Sequence, residues 1–123
     1  MGTILIVEDD DDLRELFAEV LRDGRYSVAC ARNGLEALEL LDDMQPCLML
    51  LDLMMPVMSG EELLKTLERS QRLGGLPVVV VSAIAEQSEA PGARRFMQKP
   101  IDLSALLDVA REFCHDVREQ PVC

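Results

Sequence analysis

The chain has no tryptophan, one tyrosine, three phenylalanines and a single histidine. A core built on aromatic rings is excluded, so leucine, valine, isoleucine and methionine must fill it. His115 lies among polar residues near the C-terminus and reads as a solvated side chain rather than a ligand. Basic residues are scarce, 12 against 23 acidic, and the net charge of −11 argues against DNA or any other phosphate backbone as a partner. No apolar run approaches the ~20 residues of a membrane span, and no basic segment precedes an apolar one at the N-terminus. A cytoplasmic chain with no membrane contact is expected. Four cysteines, Cys30, Cys47, Cys114 and Cys123, show neither CxxC nor zinc-like spacing. Cys30 and Cys47 fall in predicted strands and Cys114 on a predicted helix, and they read as small buried hydrophobes with reduced thiols. Cys123 sits at the terminus. Repeats, linkers and low-complexity tracts are also missing, so residues 1–123 form one domain, with 118–123 a short tail.

What is present is organised around residues 47–60, CLMLLDLMMPVMSG. Residues 47–51 are continuously apolar, as befits a strand buried on both faces in a parallel sheet. Asp52 then stands at the carboxyl end of that strand, where open α/β sheets place their ligands. Residues 3–7, TILIV, read as another buried strand, followed by five acids in a row at 8–12. Leu13, Leu16, Phe17, Val20 and Leu21 then recur at helical spacing up to Gly24, which stops the helix. Aspartates cap helix N-termini, which explains one or two of the acids but not five.

Residues 26–31 make a strand nearer an edge, and Asn33 with Glu36 opens a helix that turns Leu35, Leu38 and Leu41 inward. Ser59 and Glu62 repeat the start signal for a helix through Leu63, Leu64 and Leu67. A strand at 78–81 closes on Ser82, a weaker one at 93–97 runs into Lys99 and Pro100, and Asp102 caps a last helix with Leu103, Leu106, Leu107, Ala110 and Cys114 on one face. Alternating strands and helices imply right-handed βαβ crossovers and a parallel sheet covered on both sides.

All strand ends of such a sheet point to one rim. The acids after the first strand, Asp52, Ser82 and Lys99 therefore converge there. Crowded carboxylates raise one another's cost of ionising, and a hard divalent cation relieves it. Carboxylate, Mg²⁺, ammonium and hydroxyl together suit phosphoryl transfer onto Asp52. Alone, each residue has a blander reading: Asp52 as a turn cap, Ser82 as a strand-end hydroxyl, Lys99 as a solvated side chain. Met54, Met55 and Met58 read as packing and loop residues, since Mg²⁺ avoids thioether sulfur.

The segments ILIVEDD (4–10), LLDLMMPVMSG (50–60), VVVSA (79–83) and MQKP (97–100) resemble, in order and across the whole chain, the receiver domains of bacterial two-component response regulators. The resemblance implies a flavodoxin-like, three-layer (βα)5 domain with strand order 2-1-3-4-5. It implies that Asp52 is the phosphoacceptor and that Mg²⁺ (or Mn²⁺) is held by Asp9 directly, by Glu8 through water, by Asp52 and by the Met54 backbone carbonyl. Ser82 would sense the phosphoryl group, Lys99 would bind it, Lys99–Pro100 would be cis, and Phe96 would hold the switching aromatic position. The partners implied are a sensor histidine kinase or phosphotransfer protein and an unknown downstream protein; the chain would be no enzyme beyond assisting its own phosphorylation and dephosphorylation. With no effector domain following, it would relay the signal by changing a protein-binding surface.

Between Ala83 and Gly92 only eight residues remain, too few for the family's multi-turn fourth helix, so that helix is expected to be shortened or missing. Met54 and Ile84 occupy positions that tune phosphoryl lifetime in relatives, and both are apolar, which points to slow self-dephosphorylation. Three alternatives stand beside the switch. A receiver-like scaffold would bind partners without switching. A phosphohydrolase would want an acid at position 54, where methionine stands. A flavin module would want a phosphate loop where the acids are.

Overall fold

The computed structural model describes residues 2–83 and 92–114. Along the chain run β1 (Thr3–Val7), α1 (Asp11–Asp23), β2 (Ser27–Ala31), α2 (Gly34–Asp43), β3 (Leu48–Leu51), α3 (Gly60–Arg69), β4 (Val78–Ser82), β5 (Arg95–Gln98) and α4 (Leu103–Phe113). The five strands are all parallel and lie in the order β2-β1-β3-β4-β5. This is the doubly wound sheet that the alternation of strand and helix signals predicts. The shortened-helix expectation for 84–91, Ile84's role, His115 and the tail all fall outside the described residues. No helix of the described residues is long and apolar enough to cross a membrane.

Period-two side-chain alternation divides the central strands between two cores. Ile4, Ile6, Leu48, Leu50, Val79 and Val81 face α1 and α4, where Phe17, Leu21, Leu106 and Ala110 meet them. Leu5, Val7, Met49, Leu51, Val78 and Val80 face the other way, onto Ala37 of α2 and Leu63, Leu64 and Leu67 of α3. Burying each large aliphatic side chain is worth ~1.5–3 kcal/mol, so the sheet is held rigid from both sides up to its rim.

The helix starts follow their caps. Asp10 accepts from the Leu13 N–H, and Asp102 from the Ser104 N–H. Ser59 and Glu62 form a reciprocal capping box. Asn33 accepts from Glu36, but the Glu36 carboxylate turns back to Arg32 instead of closing the box. Gly24 caps α1 as expected, yet with φ −78°; the left-handed turn falls on Arg25, at φ 74°.

Several packing expectations need correction. Leu35 is 48% exposed, because Gly34 and Ala37 take the inward positions of α2. Gly34 lies against Met58, where a Cβ would come within 2.7 Å of Cγ, so the helix approaches the loop between β3 and α3 closely. Leu16 points outward as well. Cys30 is exposed, since β2 is an edge strand only partly covered. Cys47 and Cys114 are not reduced thiols: they form a disulfide with Cα atoms 5.4 Å apart. It joins the residue before β3 to the C-cap of α4 across 67 positions, a ring whose closure removes about 4 kcal/mol of unfolded-chain entropy.

Candidate phosphoacceptor site

Register brings the first two site elements together. Val7 pairs with Leu51, and the Asp52 N–H donates to the Val7 carbonyl at 3.0 Å, so β1 and β3 end in step. Glu8 and Asp52 therefore leave the sheet as neighbours, both nearly fully buried. Asp9, one residue on, is exposed, and a carboxylate oxygen from each of Glu8, Asp9 and Asp52 lies within 4.8 Å of the others. Among the described residues this is the one such acidic cluster with metal-binding reach.

Lys99 arrives from β5. Its N–H donates to the Ser82 carbonyl at 2.8 Å, fixing the strand end, and Lys99–Pro100 is cis as the resemblance implies. The ammonium Nζ donates to Glu8 Oε1 at 2.7 Å and to Asp52 Oδ2 at 3.3 Å. Sequence reasoning aims Lys99 at the phosphoryl group and leaves Glu8 to water-mediated metal binding. The structure adds that Glu8 is the lysine's nearer carboxylate. No local spacing signals this pair, because 91 positions separate the two residues.

The remaining hydrogen bonds hold the carboxylates in place. The second oxygen of Glu8 accepts from the Asp10 N–H at 3.2 Å, and Asp52 Oδ1 accepts from the Met54 N–H at 3.2 Å. Arg14 from α1 donates to the Glu8 carbonyl at 2.9 Å. Gly60, at the start of α3, is a positioning residue that sequence reasoning missed. A Cβ there would lie 2.4 Å from the Asp52 carbonyl oxygen, so only glycine lets α3 press against this strand end.

Ser82 closes β4 and is buried. Phe96 is half-buried on β5, paired in register with Val80, and packs against the core on the α2–α3 side. Met54 is 60% exposed beside Asp52, while Met55 and Met58 pack against the same core. Arg94 and Arg95 form an exposed edge, their guanidinium carbons 6.0 and 5.9 Å from the Phe113 ring centre.

Electrostatics follow from crowding. Burial, with repulsion from Asp52, pushes the Glu8 carboxyl up to about 7 against the pull of Lys99. Burial works against the Lys99 ammonium too, but Glu8 and Asp52 outweigh it and hold its pKa above the ordinary lysine value. Two of the three clustered carboxylates, Glu8 and Asp52, share one ammonium, and the three together offer a donor set of hard oxygens that fits a small divalent cation.

Known proteins agree with this geometry. The family model of the response regulator receiver domain matches residues 4–111. The polar-differentiation response regulator DivK of Brucella anthropi is 31% identical over 119 residues, covering 93% of this chain and 97% of its own. The chemotaxis response regulator CheY4 of Vibrio cholerae superposes with a TM-score of 0.83 at 25% identity, over 92% of this chain and 98% of its own. The response regulator TrrA of Thermotoga maritima, solved in complex with Mg²⁺–BeF, gives 0.81 at 26% identity over 92% and 99%. Receiver domains bind Mg²⁺ at an acidic pocket, and Glu8, Asp9 and Asp52 cluster here with the reach to hold a metal ion. With the profile spanning nearly the whole fold and the acidic rim in its expected place, this chain belongs to the response regulator receiver domains.

Proposed function

We propose that Asp52 accepts a phosphoryl group from the phosphohistidine of a sensor kinase or phosphotransfer protein, and that the modified domain signals through a changed protein-binding surface. The observation that carries this reading is the Lys99 ammonium bridging Glu8 and Asp52 beside Asp9. Phosphoryl acceptance, without classical enzymatic turnover, is the general role of the family.

Asp9 and Asp52, Glu8 through water, and the Met54 carbonyl would hold Mg²⁺, which would neutralise charge on the transferring group. An Asp52 carboxylate oxygen attacks phosphorus, an O–P bond forms, and the N–P bond to the donor histidine breaks with its electron pair returning to the ring. The Met54 N–H fixes the orientation of the attacking carboxylate by holding its other oxygen. Lys99, with three donors, retains a carboxylate while reaching a phosphoryl oxygen. Ser82 supplies a hydroxyl at the neighbouring strand end.

The new group adds about −1.5 to −2 charges and strong acceptor oxygens. One ion pair at ~4 Å is worth about 4 kcal/mol at an effective dielectric of 20, before desolvation. Moving a population from 1:99 to 99:1 takes about 5.5 kcal/mol, so lysine and serine together supply a large share of a switch. Phe96, half-buried behind Ser82's strand, is the residue whose packing would report it.

Incubation with Mg²⁺ and acetyl phosphate, followed by intact-mass analysis, tests the chemistry. Wild type should gain one phosphoryl group and Asp52→Asn none. Equal labelling of both, or of neither, overturns the assignment.

A further inference from the structure

We propose that Cys47 and Cys114 are a reversible oxidation site, a dithiol–disulfide pair that exchanges with glutathione-type thiols and fastens the last helix to the foot of the strand leading to Asp52. The pair lies at the opposite end of β3 from the acidic rim, and its chemistry is independent of the phosphoryl group.

Three features favour a bond that opens and re-forms. First, backbone hydrogen bonds hold both residues in place without it. The Cys47 N–H donates to the Thr3 carbonyl at 3.0 Å, and the Cys114 N–H to the Ala110 carbonyl at 2.8 Å. After reduction the two sulfurs therefore stay neighbours at high effective concentration, and re-oxidation needs no search. Second, the sulfurs differ in access. Cys114 is 3% exposed within the α1–α4 core, whereas Cys47 is only partly buried. An external thiolate can approach Cys47, leaving Cys114 as the departing sulfur. Third, the backbone above Cys47 is Gly2, where a Cβ would stand 2.6 Å from Sγ. The absence of a side chain there makes room for the bridge at its approachable end.

The chemistry balances as two exchanges. A glutathione thiolate attacks Cys47 Sγ, the S–S bond breaks, and Cys114 leaves as a thiolate that takes up a proton. A second glutathione then attacks the mixed disulfide, releasing Cys47 as a thiol and oxidised glutathione. Two electrons pass from two thiols to the protein disulfide, and excess oxidised glutathione drives the reverse. α4 begins shortly after Lys99, and Cys47 opens the strand that ends at Asp52. Oxidation thus ties together the far ends of the two segments that carry Lys99 and Asp52.

The experiment uses the full chain carrying Cys30→Ser and Cys123→Ser, equilibrated in graded ratios of reduced to oxidised glutathione, quenched by alkylation and read by intact mass. A single intramolecular disulfide should interconvert with the dithiol across the series, without denaturant. The oxidised form should melt roughly 10 °C above the reduced one. Amide exchange in residues 103–114 should quicken on reduction. A bond that never forms in the folded chain overturns the proposal. So does one that resists excess reduced glutathione until urea is added, or melting and exchange that do not change with redox state. Cys47→Ser/Cys114→Ser should still be phosphorylated on Asp52, which separates this proposal from the phosphoacceptor reading.

Discussion

Replacing Glu8 by glutamine should flatten the pH dependence of stability between about pH 4.5 and 8. Burial and the Asp52 carboxylate raise the Glu8 carboxyl from 4.5 to about 7 in the folded chain. A raised carboxyl binds its proton more tightly folded than unfolded. Its favourable contribution is therefore complete below about pH 4.5 and is lost as pH climbs through about 7. At about 1.4 kcal/mol for each pH unit between the two values, the loss reaches about 3 kcal/mol. Lys99 does not blur this window, because its raised pKa places its own loss of stability above pH 10.5. Urea unfolding at pH 5, 6, 7 and 8 without divalent cations measures the effect. Wild type should lose about 3 kcal/mol relative to Glu8→Gln across the series. Mg²⁺, which needs ionised ligands, should restore wild type chiefly at the alkaline end, by about 2.7 kcal/mol at a hundredfold excess over Kd. Parallel curves for the two proteins, or an equal Mg²⁺ effect at pH 5 and pH 8, would refute the electrostatic account of the rim.

Two further substitutions probe the same strand end. Gly60→Ala should cost about 1–3 kcal/mol in urea unfolding despite alanine's better helix propensity, because its Cβ meets the backbone of Asp52 and Leu53; a variant at least as stable as wild type would show that α3 can retreat. Met54→Asn should shorten the phosphoryl half-life on Asp52, since an exposed amide two residues away can hold an attacking water where methionine cannot; an unchanged decay of the phosphorylated mass would count against position 54 as a control on lifetime.

The frame was legible because each signal was local. Runs such as residues 3–7 and 78–81 are apolar on both faces, and the Ser59–Glu62 and Asp102 caps mark helix starts within four residues. The rim was legible for a topological reason: parallel strands deliver their C-termini to one side, so Asp52 and Lys99 had to meet the early acids, with Ser82 at the end of β4 on the same rim. What escaped was non-local or depended on how fully a strand or helix face is covered. Cys47 and Cys114 have no spacing motif, and only the packing of α4 across the sheet brings them within 5.4 Å. Cys30 was read as buried although its strand was placed near an edge, and on that partly covered edge strand it is exposed. Leu35 yielded its inward place to Ala37 because a small residue lets α2 lie closer to the sheet.

The matched ends of β1 and β3 work as a ruler. Val7 stands opposite Leu51, and side chains in a strand change sides with every residue, so the distance from Cys47 to Asp52 is counted in whole steps. Adding or deleting one residue there would turn the carboxylate to the other side of the sheet and exchange the strand's side chains between the two cores. Along this strand a substitution leaves the carboxylate on its own side of the sheet, whereas a change of length does not.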